Sequence, residues 1–298
     1  MNVLEINKCP LCGKEQFDEV MVCTDHYATG ESFRICRCKT CGFLFTQSAP
    51  AETEIGRYYE SPDYISHSDT RSGLINRIYH QVRQHMLSRK AHLIKRYSGL
   101  SQGHLLDIGT GTGYFSHFMK KKGWEVNATE KSSQARLFAQ EHFGLKVDSP
   151  ETLGAYKDKA FDVITLWHVM EHLEHLNETW ETLSRLLKDR GVLIVAVPNP
   201  DSFDARKYGE MWAAYDVPRH LWHFTPSAMQ QFGIKHGFIL TERRPMPFDA
   251  FYVSMLTEKY QGHPFPFFRG LFTGCQAWFA SLVKKDRSSS MIYFFRKK

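Results

Sequence analysis

The 298-residue chain has no run of 18 or more apolar residues, so no membrane-spanning helix is expected. Its first ten residues, Met1 to Pro10, show no basic stretch followed by an apolar core. A secretory leader is therefore not expected, and the cytoplasm is the expected compartment. Cysteine is almost missing beyond residue 41. Cys9, Cys12, Cys23, Cys36, Cys38 and Cys41 crowd the start, and only Cys275 lies elsewhere. In a reducing compartment such a cluster supplies metal ligands or buried thiols, not disulfides. Internal repeats and low-complexity tracts are absent, which excludes solenoids and biased linkers. A strong charge of one sign is also missing. The formal net charge of +6 permits an anionic substrate, a nucleic acid or an anionic membrane surface, and demands none of them.

What is present suffices for a full-sized core. Hydrophobic residues make up 42 %, enough for one large domain and a small one. Charged residues make up 23 %, which argues against a disordered chain. The aromatic content of 14 % falls partly on a C-terminal stretch that holds Phe265, Phe267, Phe268, Phe272, Trp278 and Phe279.

The cysteines form two matched knuckles, Cys9-Pro10-Leu11-Cys12-Gly13 and Cys38-Lys39-Thr40-Cys41-Gly42. Two intervening residues let both thiolates reach one tetrahedral zinc, and the glycine lets the turn pass below it. Cys9, Cys12, Cys38 and Cys41 are the expected ligands of a closed, structural site. Cys23 and Cys36 read as small buried thiols. The module is expected to span 1–48. A linker and a basic helix follow over 49–98, and the remaining domain covers 99–298 with an aromatic insert at 245–288. The linker is rich in tyrosine, with Tyr58, Tyr59 and Tyr64.

From residue 72 to 97, Leu74, Ile78, Val82, Met86, Leu93 and Tyr97 recur at helical spacing. No acidic residue occurs from Arg71 to Tyr97, and Arg77, Arg83, Arg89, Lys90, Lys95 and Arg96 fill the other positions. The pattern then alternates between strand and helix. Strands are expected at 104–108, 125–129, 161–167 and 192–197, with a minimal one at 146–147. Helices are expected at 114–122, 132–143 and 176–187. The second of these should bury Ala135, Phe138, Ala139 and His142. Thr225-Pro226 opens a later helix as N-cap and first residue. Strands at 238–243 and 291–296 should close the sheet. Strands separated by helices predict a parallel sheet covered on both faces.

At the carboxyl end of the first of these strands lies Asp107-Ile108-Gly109-Thr110-Gly111-Thr112-Gly113, and Glu130 follows 17 residues past Gly113. Glycines let a ligand approach the backbone closely, and a carboxylate after the second strand can accept bonds from both hydroxyls of a ribose. The spacing is Gly-x-Gly-x-Gly, not that of the dinucleotide fingerprint. Asp107 beside the turn would repel a pyrophosphate and suit a cationic methionine end. This stretch resembles motif I of the class I methyltransferases. The block from Phe161 to His172 resembles their fourth strand, and that from Leu186 to Asn199 their fifth. The resemblance implies a Rossmann-like seven-stranded α/β sheet and S-adenosylmethionine as methyl donor. It places Asp107, Gly109, Gly111 and Gly113 at the cofactor's methionine end and Glu130 on the ribose. Trp167 and His168 then pass beside the cofactor. Asp148 is the candidate near the adenine. With its cysteine module, the chain also resembles the sugar C-methyltransferases. A guanine methyltransferase of ribosomal RNA is the alternative, with shorter knuckle spacing and a histidine ligand.

His168-Val169-Met170-Glu171-His172 matches an inverted zinc-protease motif. Its position at the end of a buried strand, with no third protein ligand in sight, argues against that reading. The segment from Asp216 to Pro226 is the acceptor-side candidate, because it follows the fifth strand. His220 and His223 are the expected catalytic histidines, one of which would take the acceptor's proton. Arg219 is expected to bind an acidic group of the substrate. The expected acceptor is a small or lipid-linked molecule, sugar-like or quinone-like. The insert is read as a pocket lid or a peripheral membrane contact.

Overall fold

The computed structural model describes residues 2–59 and 74–298, with side chains from residue 81 onward in the second stretch. Tyr64 and the start of the basic helix, including Leu74, Arg77 and Ile78 as side chains, lie outside the described residues. The strands are β1 (Val3–Leu4), β2 (Phe17–Thr24), β3 (Ser32–Cys38), β4 (Leu44–Gln47) and β5 (Ala49–Pro50). Helix α1 (Leu74–Ser98) precedes β6 (His104–Ile108), α2 (Tyr114–Lys121), β7 (Glu125–Thr129) and α3 (Ser133–Phe143). Then come β8 (Phe161–Trp167), α4 (Leu176–Leu186), β9 (Leu187–Pro198), α5 (Phe203–Tyr208) and β10 (Trp222–His223). The chain closes with α6 (Pro226–Lys235), β11 (Phe238–Pro245), α7 (Asp249–Tyr260), α8 (Pro266–Val283) and β12 (Ser290–Lys297).

Among the described residues the main sheet has six strands, not the expected seven, in the order β11-β12-β9-β8-β6-β7. β7, β6, β8 and β9 run parallel, because a helix-containing crossover separates each from the next in sequence. β12 runs antiparallel between β9 and β11. The expected strand at 146–147 is present only as an isolated bridge between Thr129 and Asp148. Strand order reverses between β6 and β8, so their carboxyl ends frame the crevice where such sheets bind ligands. Both faces of the sheet are covered. Trp180, Leu183, Phe232 and Phe295 fill one side, and Leu87, Ile94, Phe115 and Ile194 the other.

The N-terminal module joins this body through backbone. β2, β3, β4 and β10 form one antiparallel sheet, with Trp222 opposite Phe45 and His223 opposite Leu44. Phe43 packs on Trp222, Phe224 and Phe232.

One expectation about the helices needs correction. In α3 only Ala139 of the four expected core residues is buried, and His142 is exposed and stacked on Phe138. The helix covers an edge of the sheet with a narrow contact, so a full apolar stripe is not used. In α8 the large side chains face outward: Phe268, Phe272 and Phe279 are each at least 60 % exposed. The buried stripe is Gly270, Thr273, Gly274, Ala277 and Ser281. Gly270 meets the backbone of Met255 and Gly274 meets Phe251. Any larger side chain there would push α8 off α7.

Candidate active site

The turn after β6 holds Gly109, Gly111 and Gly113 at φ of 69°, 58° and 82°, a region open at low cost only to glycine. A side chain at Gly109 would run into Val169, and one at Gly113 into Ala139. At Gly111 nothing lies nearby, so the turn opens onto free space there. Its N–H donates to Glu130 Oε2 at 2.8 Å, and Ser132 N–H donates to Oε1 at 3.0 Å. Glu130 is thereby fixed at the lip of the turn. Asp107 sits beneath it, buried, and accepts from Thr165 Oγ1 at 2.7 Å and Ser116 Oγ at 2.8 Å. Burial pushes its carboxyl up, against the hydroxyls of Thr110, Thr165 and Ser116. Asp107 therefore braces the turn from below.

At the end of β8, His168 has a left-handed backbone with φ 57°. A non-glycine residue persists there only where its surroundings hold it, and such positions cluster at functional sites. Its Nε2 stands 3.2 Å from Asp249 Oδ2 and its Nδ1 3.4 Å from Glu171 Oε1. Burial disfavours the charged ring, but the two carboxylates outweigh it and raise its pKa to about 10. Beside it, the Lys90 ammonium lies 4.3 Å from the Trp167 ring centroid. Burial brings Lys90 down to about 8, with Asp107 and Asp249 opposing.

Lys90 and Asp249 were not singled out by the sequence. Lys90 was one of six basic residues on the helix, and nothing local marks Asp249 as the partner of His168.

Next to Trp167, between α1 and the β11–α7 loop, lies a cavity of about 210 Å³. Its walls include Arg89, Lys90, Arg96 and Arg244, with Met86, Leu93, Met246 and Phe248 as apolar surface, and no acidic residue among the described residues.

The Asp216–Pro226 segment lies in a different environment from the one expected. Val217-Pro218 is a cis peptide bond. Arg219 is buried and consumed by internal partners. It donates to both Asp216 oxygens (Nε at 3.1 and 3.0 Å), to Asp25 Oδ1 at 2.9 Å and to the Tyr58 carbonyl at 2.7 Å. The expected role in binding an acidic substrate is therefore corrected: Arg219 ties the N-terminal module, the linker and this loop together.

His223 is buried against Thr46. The Thr46 hydroxyl donates to the His220 carbonyl at 2.7 Å, so His223 Nε2, 3.0 Å away, donates to Thr46 Oγ1. Burial, with the neighbouring His220, lowers its pKa to about 3 and keeps the ring neutral.

His220 stands edge-on to His172, with ring centroids 4.5 Å apart, and Glu171 completes a buried group. Burial, then His220, lowers His172 to about 4. Burial would raise Glu171, but His168 and His220 hold it below its ordinary value.

In the module, Cys9, Cys12, Cys38 and Cys41 converge as expected. Cys9 and Cys41 sulfurs are 3.5 Å apart, and Cys12 and Cys38 3.4 Å. Tetrahedral zinc with bonds of about 2.3 Å requires sulfurs roughly 3.8 Å apart. The four thiols fit such an ion with small adjustments. Cys23 and Cys36 are buried elsewhere in the module.

The sheet order, the glycine turn and the acidic residue after β7 are those of a class I, S-adenosylmethionine-dependent methyltransferase. A family model described as a methyltransferase domain matches residues 80–242, more than half of the chain, and the chain belongs to that family. It is 25 % identical over 142 residues to an uncharacterized methyltransferase of Staphylococcus carnosus, covering 47 % of the chain and 67 % of that protein. It is 30 % identical over 129 residues to the ubiquinone biosynthesis O-methyltransferase of Azoarcus sp., covering 41 % of the chain and 55 % of that protein. The chain thus spans just over half of the latter's length. The fold resembles geranyl diphosphate C-methyltransferase from Streptomyces coelicolor A3(2), solved with S-adenosyl-L-homocysteine. Its TM-score is 0.50 at 12 % identity, over 71 % of this chain and 76 % of that one.

Proposed function

We propose that the protein transfers a methyl group from S-adenosylmethionine to a small acceptor with an anionic group and an apolar body, sugar-like or quinone-like and carried on a lipid. The observation that carries this reading is the cavity beside Trp167. Four cations face an apolar floor there, with no acidic residue among the described lining residues, and the volume suits a small molecule, not an RNA strand. Gly109, Gly111 and Gly113 give the cofactor its close approach. Asp107 braces that turn, Glu130 binds the ribose, and Trp167 and His168 flank the reacting end. The sulfonium itself supplies the electrophile, so the chain's task is to position the acceptor and ease loss of its proton. Of the two candidate histidines, His220 serves this step, because the Nε2 proton of His223 is committed to Thr46. Zinc bound by Cys9, Cys12, Cys38 and Cys41 closes the module and has no open position for chemistry.

Glu130→Ala tests the donor half. Losing charged hydrogen bonds to a ribose should weaken S-adenosylmethionine binding at least about tenfold, read by calorimetry. Unchanged affinity would remove Glu130 from the cofactor site.

The lipid-linked part of the reading rests on α8. Its outer face shows Phe268, Phe272 and Phe279, with Lys284 and Lys285 exposed at its end. The helix contains no acidic residue. An apolar face flanked by cations suits the interface of an anionic bilayer. The α7–α8 hairpin begins at the cavity wall, at Phe248, so docking there would bring a lipid-borne acceptor to the site. No described helix is long and apolar enough to cross a membrane. The protein should sediment with vesicles containing phosphatidylglycerol, and Phe268→Ser/Phe272→Ser should abolish this. Equal sedimentation of the double variant would sink the membrane reading.

A further inference from the structure

The string His168-Val169-Met170-Glu171-His172 resembles a zinc motif that wants a third ligand. The fold supplies one, though not in the motif's own arrangement. His168 turns to Asp249. Glu171 and His172 remain, and His220 joins them from the loop before β10. One ligand atom from each lies within 4.8 Å of the others.

The protons of this group leave a gap at its centre. His172 Nδ1 is 2.9 Å from the Arg219 carbonyl, and His220 Nδ1 is 2.9 Å from the Ala214 carbonyl. A carbonyl only accepts, so each ring donates from Nδ1, and Nε2 is the ring atom left to face a metal. Glu171 is 1 % exposed, and neither of its oxygens has a hydrogen-bond partner. The group therefore gathers a buried carboxylate and two imidazole Nε2 atoms. A buried carboxylate without hydrogen bonds is costly, and a divalent cation would complete what the His168 ring at 3.4 Å supplies only in part. A metal-binding imidazole also commonly donates its other N–H to a backbone carbonyl, as both rings do here. His168 Nδ1 is 3.4 Å from Glu171 Oε1 but keeps Asp249 as its other partner. Asp216 Oδ2 lies 3.8 Å from His220 Nε2 and adds negative charge.

We propose that Glu171, His172 and His220 bind a divalent transition-metal cation, zinc foremost, with a fourth position open to the acceptor. Two imidazoles and one carboxylate suit zinc, whereas magnesium and calcium want oxygen ligands throughout. This deepens the function proposed above and rests on it: His220 eases loss of the acceptor's proton as a ligand of the metal. An acceptor hydroxyl on the cation loses its proton to solvent water. The resulting oxyanion attacks the methyl carbon, forming the O–C bond. The S–C bond breaks, its electron pair returns to sulfur, and neutral S-adenosylhomocysteine leaves.

The test is metal content of the full chain, with cobalt replacement as a second readout. The wild type should hold about two equivalents of zinc. Glu171→Gln and His220→Ala should each hold about one, and the exposed-site control His142→Ala about two. In the cobalt protein, the thiolate-to-cobalt charge-transfer bands of the cysteine site should persist in every variant, which also reports an intact module. The weaker absorption without thiolate character should vanish in Glu171→Gln and His220→Ala. One equivalent in the wild type, or a second retained in both variants, overturns the proposal. Methyl transfer that continues unchanged once the second equivalent is stripped also overturns it, while leaving the methyltransferase reading in place. Loss of turnover with S-adenosylmethionine binding intact is the expected result.

Discussion

Cys38→Ser is expected to unfold the N-terminal module and to lower the melting temperature of the whole chain by roughly 10 °C or more. Structural zinc contributes on the order of 10 kcal/mol to folding where no preformed site exists. Even half of that exceeds the usual effect of a point substitution, and about 1 kcal/mol shifts a domain of this size by a few degrees. The loss should not stay local. β4 is the neighbour of β10 in the module's sheet, and Thr46 bonds both the His220 carbonyl and the His223 ring. Cys9 and Cys38 belong to the same apolar cluster as Leu106, Trp180 and Phe232. A chelator should reproduce the variant's melting curve in the wild type. Melting unmoved by either would show that the four cysteines hold no structural ion.

Arg219→Ala should cost about 3–5 kcal/mol, the usual loss when one partner of a buried ion pair is removed. The reason is what remains. Asp25 is fully buried and Asp216 largely so, and each would lose its main counter-charge. Lysine should not rescue, because a point charge cannot replace the fork that holds both Asp216 oxygens, Asp25 and the Tyr58 carbonyl together. The pH dependence carries a sign. Burial would raise Asp216, but Arg219 outweighs it and holds the carboxyl below its ordinary value. In the wild type this pair therefore contributes stability above the unfolded carboxyl's pKa and loses it as pH falls through the folded one. In the variant the same burial acts unopposed by Arg219, so protonation becomes favourable in the folded state. The gap in urea midpoint between variant and wild type should then narrow as pH drops from 7 toward 4. A constant gap would mean that the cost comes from lost packing and not from stranded charge.

The elements that the sequence specifies well are those whose signal is local. Strand β8 is a short, mostly apolar run rich in β-branched and aromatic residues, and its observed limits match the reading. Helix α6 begins where Thr225 caps the Ala228 N–H and Pro226 follows. The glycine turn and the cysteine knuckles are contiguous and equally legible. Helix α8 shows where the sequence runs out. Phe268, Phe272 and Phe279 fall on one helical face, but Gly270, Gly274 and Ala277 recur at similar spacing. Pattern alone does not say which stripe meets the neighbour. Close approach of α7 selected the small one. The site failed to read through for a related reason. Lys90 against Trp167, Asp249 against His168, and His220 against Glu171 are contacts between distant positions, set by topology.

The sharing of one sheet by β4 and β10 has a consequence for how the chain is made. Thr46 leaves the ribosome 177 residues before its partner His223. At about 5–20 residues per second, that is a wait of roughly 10–35 s. Through that interval the nascent module exposes an unpaired strand edge and the apolar surface of Phe43, which later packs on Trp222, Phe224 and Phe232. Early capture of metal by the two knuckles would give this segment a defined shape while its partner strand is still being synthesised.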